Sequence, residues 1–140
     1  MTSKNLENLV KIDKLKKEPV SQKEFDGLVE SGRARLADAR KSSLAIESRF
    51  DLSYNASHAL ALAALRWHGY RSDNRYLVFQ CLQYTLGLAP EHWRILALGH
   101  ERRNLAEYQG HLEIEEKLIV DMIKVTEMLS KKLSSLGKIS

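Results

Sequence analysis

The chain has 140 residues, with 22 Lys+Arg against 18 Asp+Glu and a formal net charge of +4. That length suits one domain of roughly 100–200 residues and excludes a large enzyme with a separate cofactor domain. The lone cysteine, Cys81, excludes an internal disulfide framework and a cysteine-based zinc site. The elements then follow in chain order. Asn5 to Lys17 reads as a short, Lys-rich, peripheral helix carrying Leu6, Leu9, Val10 and Leu15. Pro19 stops it, because the residue before a proline is pushed out of the α region. Ser21 and Glu24 form a capping box, so a second helix is predicted to start near Gln22. Gly27 and Gly32 weaken that helix and predict a break before about Ser48.

Asp51 or Ser53 is the predicted cap of a third helix, which runs to about His68 and closes at Gly69. Its alanines and leucines occupy nearly every face, which suits a central helix packed on several sides. Ser72 or Asp73 is predicted to open the next helix, which runs to about Leu86 and closes at Gly87. Pro90 suits the first position of a helix over Glu91 to Gln109, with Gly110 as its break. The last helix is predicted from about Glu113 to Leu136, with Ile114, Leu118, Met122, Val125, Leu129 and Leu133 at steps of three and four. Its early glutamates and its late Lys131 and Lys132 both favour the helix dipole.

These elements predict an all-α fold, an up-and-down bundle of about four core helices with an extra short N-terminal helix. The division is residues 1–20 as a Lys-rich extension, 21–136 as the bundle and 137–140 as a tail. The first residues lack the apolar stretch of a secretory leader. The strongest apolar run, Ala59 to Leu65, is far shorter than the roughly 20 residues a membrane helix needs. A cytoplasmic protein without a membrane partner is therefore expected.

One pattern carries functional information. His100, Arg103, Asn104, Glu107, Tyr108 and His111 recur at helical spacing and share one face, provided the helix continues through Gly110. Guanidinium, amide, phenol and imidazole groups can bind phosphate, orient a hydroxyl or move a proton. The competing reading is a plain solvated face. Leu98, Leu105 and Leu112 mark another face, which is expected to pack inward. Paired Glu-x-x-His motifs are missing, so no metal site and no cofactor are expected. Charge layout adds to the pattern. No lysine occurs between Lys41 and Lys117, whereas Arg66, Arg71, Arg75, Arg94, Arg102 and Arg103 do. Arginine has the fork that suits bidentate phosphate contact. His58 reads as a core-edge residue, Trp67 and Trp93 as core or dimer anchors, and Cys81 as buried and inert.

The run Arg102-Arg103-Asn104-Leu105-Ala106-Glu107-Tyr108-Gln109-Gly110 resembles a late-helix signature of the HEPN superfamily, in the branch with Arg-Asn-x-Ala-Glu-Tyr-x-Gly. Phe50 to Ala56, His68 to Arg71, and Asn74 to Phe79 running into Leu86-Gly87 resemble the same branch, so the likeness spans about residues 32–133. The resemblance implies a helical bundle that dimerises through the face bearing the motif. It implies a composite, metal-independent ribonuclease site in which an arginine holds the phosphate and a histidine, after four to six intervening residues, assists proton transfer. Many relatives are toxins paired with a small nucleotidyltransferase, which can place nucleotides on a motif tyrosine. The chain departs from the active pattern, because Tyr108 stands where the histidine is expected and His111 lies beyond the usual spacing. A phenol is a poor general base at neutral pH unless its pKa is lowered.

Arg103, Asn104, Tyr108 and His111 are thus the candidate catalytic residues, and Arg102, His100 and Arg75 the candidate phosphate- or RNA-binding ones. Two functions stay open. One is a homodimeric RNA- or nucleotide-binding protein with ribonuclease activity. The other is a non-catalytic helical module that partners a nucleotidyltransferase.

Overall fold

The structure is a computed structural model and describes residues 4–139. It is an all-α bundle with a short N-terminal helix, as the periodicity predicts. The helices are α1 (Lys4–Lys11), α2 (Gln22–Ala39), α3 (Ile46–Trp67), α4 (Arg75–Gln80), α5 (Leu82–Thr85), α6 (Pro90–Gln109) and α7 (Glu116–Ser134). Helix α3 is the central post. It packs against α2 and α7 and also touches α4, α5 and α6. Ala56, Leu60, Ala61, Ala63, Ala64 and Leu65 are all essentially without exposure, which confirms the reading of this helix as central.

Small residues set how closely α2 and α3 approach. A Cβ added at Gly32 would lie 2.6 Å from Leu60 Cδ2 and 3.3 Å from the Ala56 carbonyl. Gly32 therefore does not break α2, which runs unbroken from Gln22 to Ala39. Packing outweighs the glycine's poor helix propensity.

Other boundaries shift for local reasons. Helix α1 ends at Lys11 rather than Lys17, through a left-handed Asp13 (φ 59°) and bonds from the Lys14 and Leu15 N–H groups back to the Leu9 carbonyl. The chain beyond it forms a two-residue strand, β1 (Lys16–Lys17), antiparallel to β2 (Tyr70–Arg71). Leu6 and Leu15, from the segment expected to be peripheral, are 0% and 2% exposed and join the core. Helix α3 starts at Ile46, a turn earlier than either predicted cap. Asn74 caps α4 by accepting from the Leu77 N–H at 3.0 Å, in place of Ser72 or Asp73. The expected single helix from there to Leu86 is interrupted at Cys81 and forms α4 and α5. Helix α7 is shorter at both ends than the pattern predicts. Cys81 is fully buried, and burial pushes its thiol up to about 12.

The capping box at α2 is half as expected. Ser21 Oγ accepts from the Glu24 N–H at 3.2 Å. The Glu24 carboxylate does not turn back to complete the box. It accepts from Arg66 Nε at 2.6 Å and from Arg71 Nη2. Arg66 is 3% exposed and also donates to the carbonyls of Glu18, Pro19 and Tyr70. Arg71 reaches Glu18 at 2.6 Å, and the Tyr70 hydroxyl donates to Glu7 at 2.6 Å. This charged knot clamps the N-terminal segment onto the end of α3. Among the described residues no helix is long and apolar enough to cross a membrane.

Removing one partner of a buried pair strands the other charge. Glu24→Gln is expected to lower unfolding free energy by about 2–3 kcal/mol, less than for a fully buried pair because Glu24 is partly exposed. A urea titration measures it. Gly32→Ala is expected to cost about 1–3 kcal/mol through overpacking against Leu60. Gly99→Ala is expected to cost less, because its added methyl meets the flexible end of Met122, which can swing aside.

Candidate functional site

The site is assembled on one stripe of α3. Phe50, Tyr54 and His58 stand at i, i+4 and i+8 and so share a face. Helix α4 brings Arg75 from its first turn and Phe79 from its second. Helix α6 brings His100, Arg103, Asn104 and Glu107. The ring of Tyr54 is the hub. It is fully buried, and its hydroxyl lies 2.8 Å from His100 Nδ1, with the two ring planes 12° apart. The Arg103 and Arg75 guanidinium carbons lie 5.0 and 5.6 Å from the Tyr54 ring centroid, within cation–π range. Phe50 and Phe79 complete the aromatic surround.

Polar connections around the hub are few. Asn104 Nδ2 lies 3.2 Å from His100 Nε2. Arg103 makes a long 3.4 Å ion pair with Glu107, whose side chain is 64% exposed. Arg75 makes no ion pair among the described residues, and its Nη1 is buried without a hydrogen-bond partner. The residue as a whole is half-buried, and its guanidinium carbon sits over the Tyr54 ring.

Both histidines nearby are held neutral. Burial, reinforced by the positive charge of Arg75, by the competing His100 and by Arg103, lowers His58 to about 4. Burial, with Arg103 and then Arg75, also lowers His100, while Glu101 and Glu107 pull weakly the other way. The site is therefore a cluster of two guanidiniums beside two neutral imidazoles, and the groove that reaches Arg103 is also lined by Glu47, Asp51 and Glu107. Guanidinium groups can bind an oxyanion and donate hydrogen bonds to it.

The structure brings His100, Arg103, Asn104 and Arg75 together. It separates the other candidates. Gly110 adopts φ 81° and ends α6, so His111 leaves the helical stripe. His111 instead lines an open groove of about 440 Å³ with Arg103 and Glu107, and it contacts Glu113 at 3.1 Å. Tyr108 is 90% exposed and projects into solvent. Arg102 lies on a different groove, with Leu98, Ile114 and Leu118. Leu98 and Leu105 do not pack inward as expected. They are 38% and 43% exposed, because the buried face of α6 is Trp93, Leu96, Ala97 and Gly99. Among the described residues no three His, Cys, Asp or Glu side chains form a possible metal-ligand set.

Sequence reasoning missed Tyr54 altogether and read His58 as an ordinary core-edge residue. Their i, i+4 spacing with Phe50 on an otherwise Ala- and Leu-rich helix was the available signal. Compared with protein-family models, curated proteins and solved structures, the chain matches none.

The depressed His58 makes stability depend on pH. The unfolded imidazole titrates near 6.5 and the folded one near 4, so between those values the unfolded state binds more protons. Its contribution is complete above about 6.5 and is lost as pH falls toward 4. The expected loss is on the order of 2 kcal/mol. Thermal melts from pH 7 to pH 4 measure it, and His58→Gln is expected to flatten that part of the profile.

Proposed function

We propose that this chain is a HEPN-type homodimeric protein that binds RNA phosphate, with Arg103 as its principal anion ligand and metal-independent cleavage as its activity. The observation that carries the reading is the pair of guanidiniums, Arg75 and Arg103, set against one buried ring, with no carboxylate paired to Arg75 among the described residues. A phosphodiester beside them supplies a compensating charge. In cleavage, a 2′-hydroxyl attacks the adjacent phosphate, a cyclic phosphate forms and the 5′-oxygen leaves with a proton. Arg103 and Arg75 stabilise the charge that develops on the phosphate oxygens.

The sequence resemblance implies a dimer contact on the α6 face that bears Arg103. Leu98 and Leu105, one heptad apart, are exposed on another face of that helix, and Tyr108 is exposed near its end. A second copy meeting the Arg103 face sets two arginine motifs side by side, the composite site the sequence resemblance implies.

Arg103→Ala is expected to abolish cleavage of RNA by the metal-free protein and to weaken RNA binding at least ten-fold, with an unchanged melting temperature. Single-turnover cleavage, binding titrations and a thermal melt check the three parts. If wild type binds no RNA at low salt, the reading fails. If it binds RNA but does not cleave it, the enzyme part is dropped.

One observation favours the second reading. Tyr108, at 90% exposed near the end of α6, presents a free hydroxyl to any modifying enzyme. Under that reading the chain is a non-catalytic module whose Tyr108 receives nucleotides from a nucleotidyltransferase. Co-expression with a candidate transferase is then expected to add nucleotide mass to wild type and none to Tyr108→Phe.

A further inference from the structure

The proton on the Tyr54 hydroxyl decides what His100 can do. Tyr54 is 0% exposed, and its hydroxyl meets His100 Nδ1 at 2.8 Å. Among the described residues no other hydrogen-bond partner is in reach of that hydroxyl. A buried O–H that donates to nothing forfeits the whole cost of its lost hydration. The phenol therefore donates, and Nδ1 accepts. A neutral imidazole carries a single proton, which this arrangement places on Nε2. A second proton on Nδ1 would turn the Tyr54 O–H away from its acceptor.

The charges facing His100 oppose that second proton as well. Arg103 and Arg75 repel it, the neutral His58 adds no attraction, and Glu101 and Glu107 offset only part of the repulsion. Asn104 meets Nε2 at 3.2 Å through its side-chain amide. Two donors cannot face each other there, so in the free protein the amide turns its oxygen to the Nε2–H, and an entering phosphate oxygen takes that oxygen's place.

We propose that Tyr54 is the positioning residue of the phosphate site, fixing His100 as a neutral Nε2–H donor that binds the anion beside Arg75 and Arg103. The proposal rests on the reading of this cluster as a phosphate site, and it goes further. It makes His100 a ligand of the phosphate oxygens and denies it the role of proton acceptor, since Nε2 has no lone pair free. It also gives a reason why the histidine one turn before Arg103 does not stand in for the histidine expected after it.

Nitrogen-15 NMR of the imidazole side chains, in the full chain at pH 7, tests it with inorganic phosphate as the probe. Wild type is expected to show His100 neutral and protonated at Nε2, and added phosphate is expected to shift that N–H. Tyr54→Phe keeps the ring under both guanidiniums and removes the lock. It is expected to mix the two tautomers, to move the His100 titration up toward that of a free histidine, and to weaken phosphate binding about five-fold. An Nδ1-protonated or charged His100 in free wild type overturns the proposal, whether or not the variant folds. So does phosphate that shifts the Arg103 side-chain signals and leaves the His100 N–H unmoved. That last outcome keeps the phosphate reading, whereas phosphate that moves neither arginine nor histidine signals overturns both.

Discussion

Everything in this molecule is arranged around the burial of α3 on nearly all sides. A helix so enclosed needs small residues where neighbours approach, and α3 carries Ala56, Ala59, Ala63 and Ala64. Gly32 on α2 completes the fit by leaving room for Leu60. The same enclosure imposes a second demand. Any buried polar side chain on α3 must find its partner inside the protein. Ser53 and Ser57 satisfy themselves by donating to the carbonyls of Phe50 and Tyr54. Arg49 reaches the Ala39 carbonyl at the end of α2 and Glu116 at the start of α7. Arg66 collects Glu24 and three carbonyls.

Tyr54 answers that demand differently. Its partner is an imidazole on α6, and its ring faces two guanidiniums. Elsewhere on α3 the buried charges are matched within the protein. Arg66 is paired to Glu24 at 2.6 Å, whereas Arg75 has a buried Nη1 with no acceptor. Burial and mutual repulsion then keep the neighbouring imidazoles neutral. The result is a cluster of two guanidiniums and two neutral imidazoles around one buried ring.

Much of this was legible along the chain. The caps at Ser21 and Pro90 and the left-handed closures at Gly69, Gly87 and Gly110 act within a turn or two, so residue type announces them. The candidate residues His100, Arg103 and Asn104 were visible because they share one face of one helix. Arg75 was picked out by the distribution of arginines, with no hint of the ring it would meet. Leu98 and Leu105 were misjudged for a related reason. An apolar spacing tells which residues share a face, and it does not tell whether another element covers that face. The buried face of α6 is Trp93, Leu96, Ala97 and Gly99, so the leucines on another face stay exposed.

By itself, the sequence determined the all-α class, the central place of the Ala- and Leu-rich helix and the end of α6 at Gly110. Each of these follows from side-chain size, helical period and backbone conformation, which are local properties. The tertiary structure alone decided that Leu6 and Leu15 belong to the core, that Glu24 serves Arg66 rather than its own helix end, and that Tyr54, Arg75, His100 and Arg103 meet. Those outcomes depend on which buried polar group comes within about 3 Å of which other. Residues 46 and more positions apart come that close only when the helices pack, as Tyr54 and His100 do.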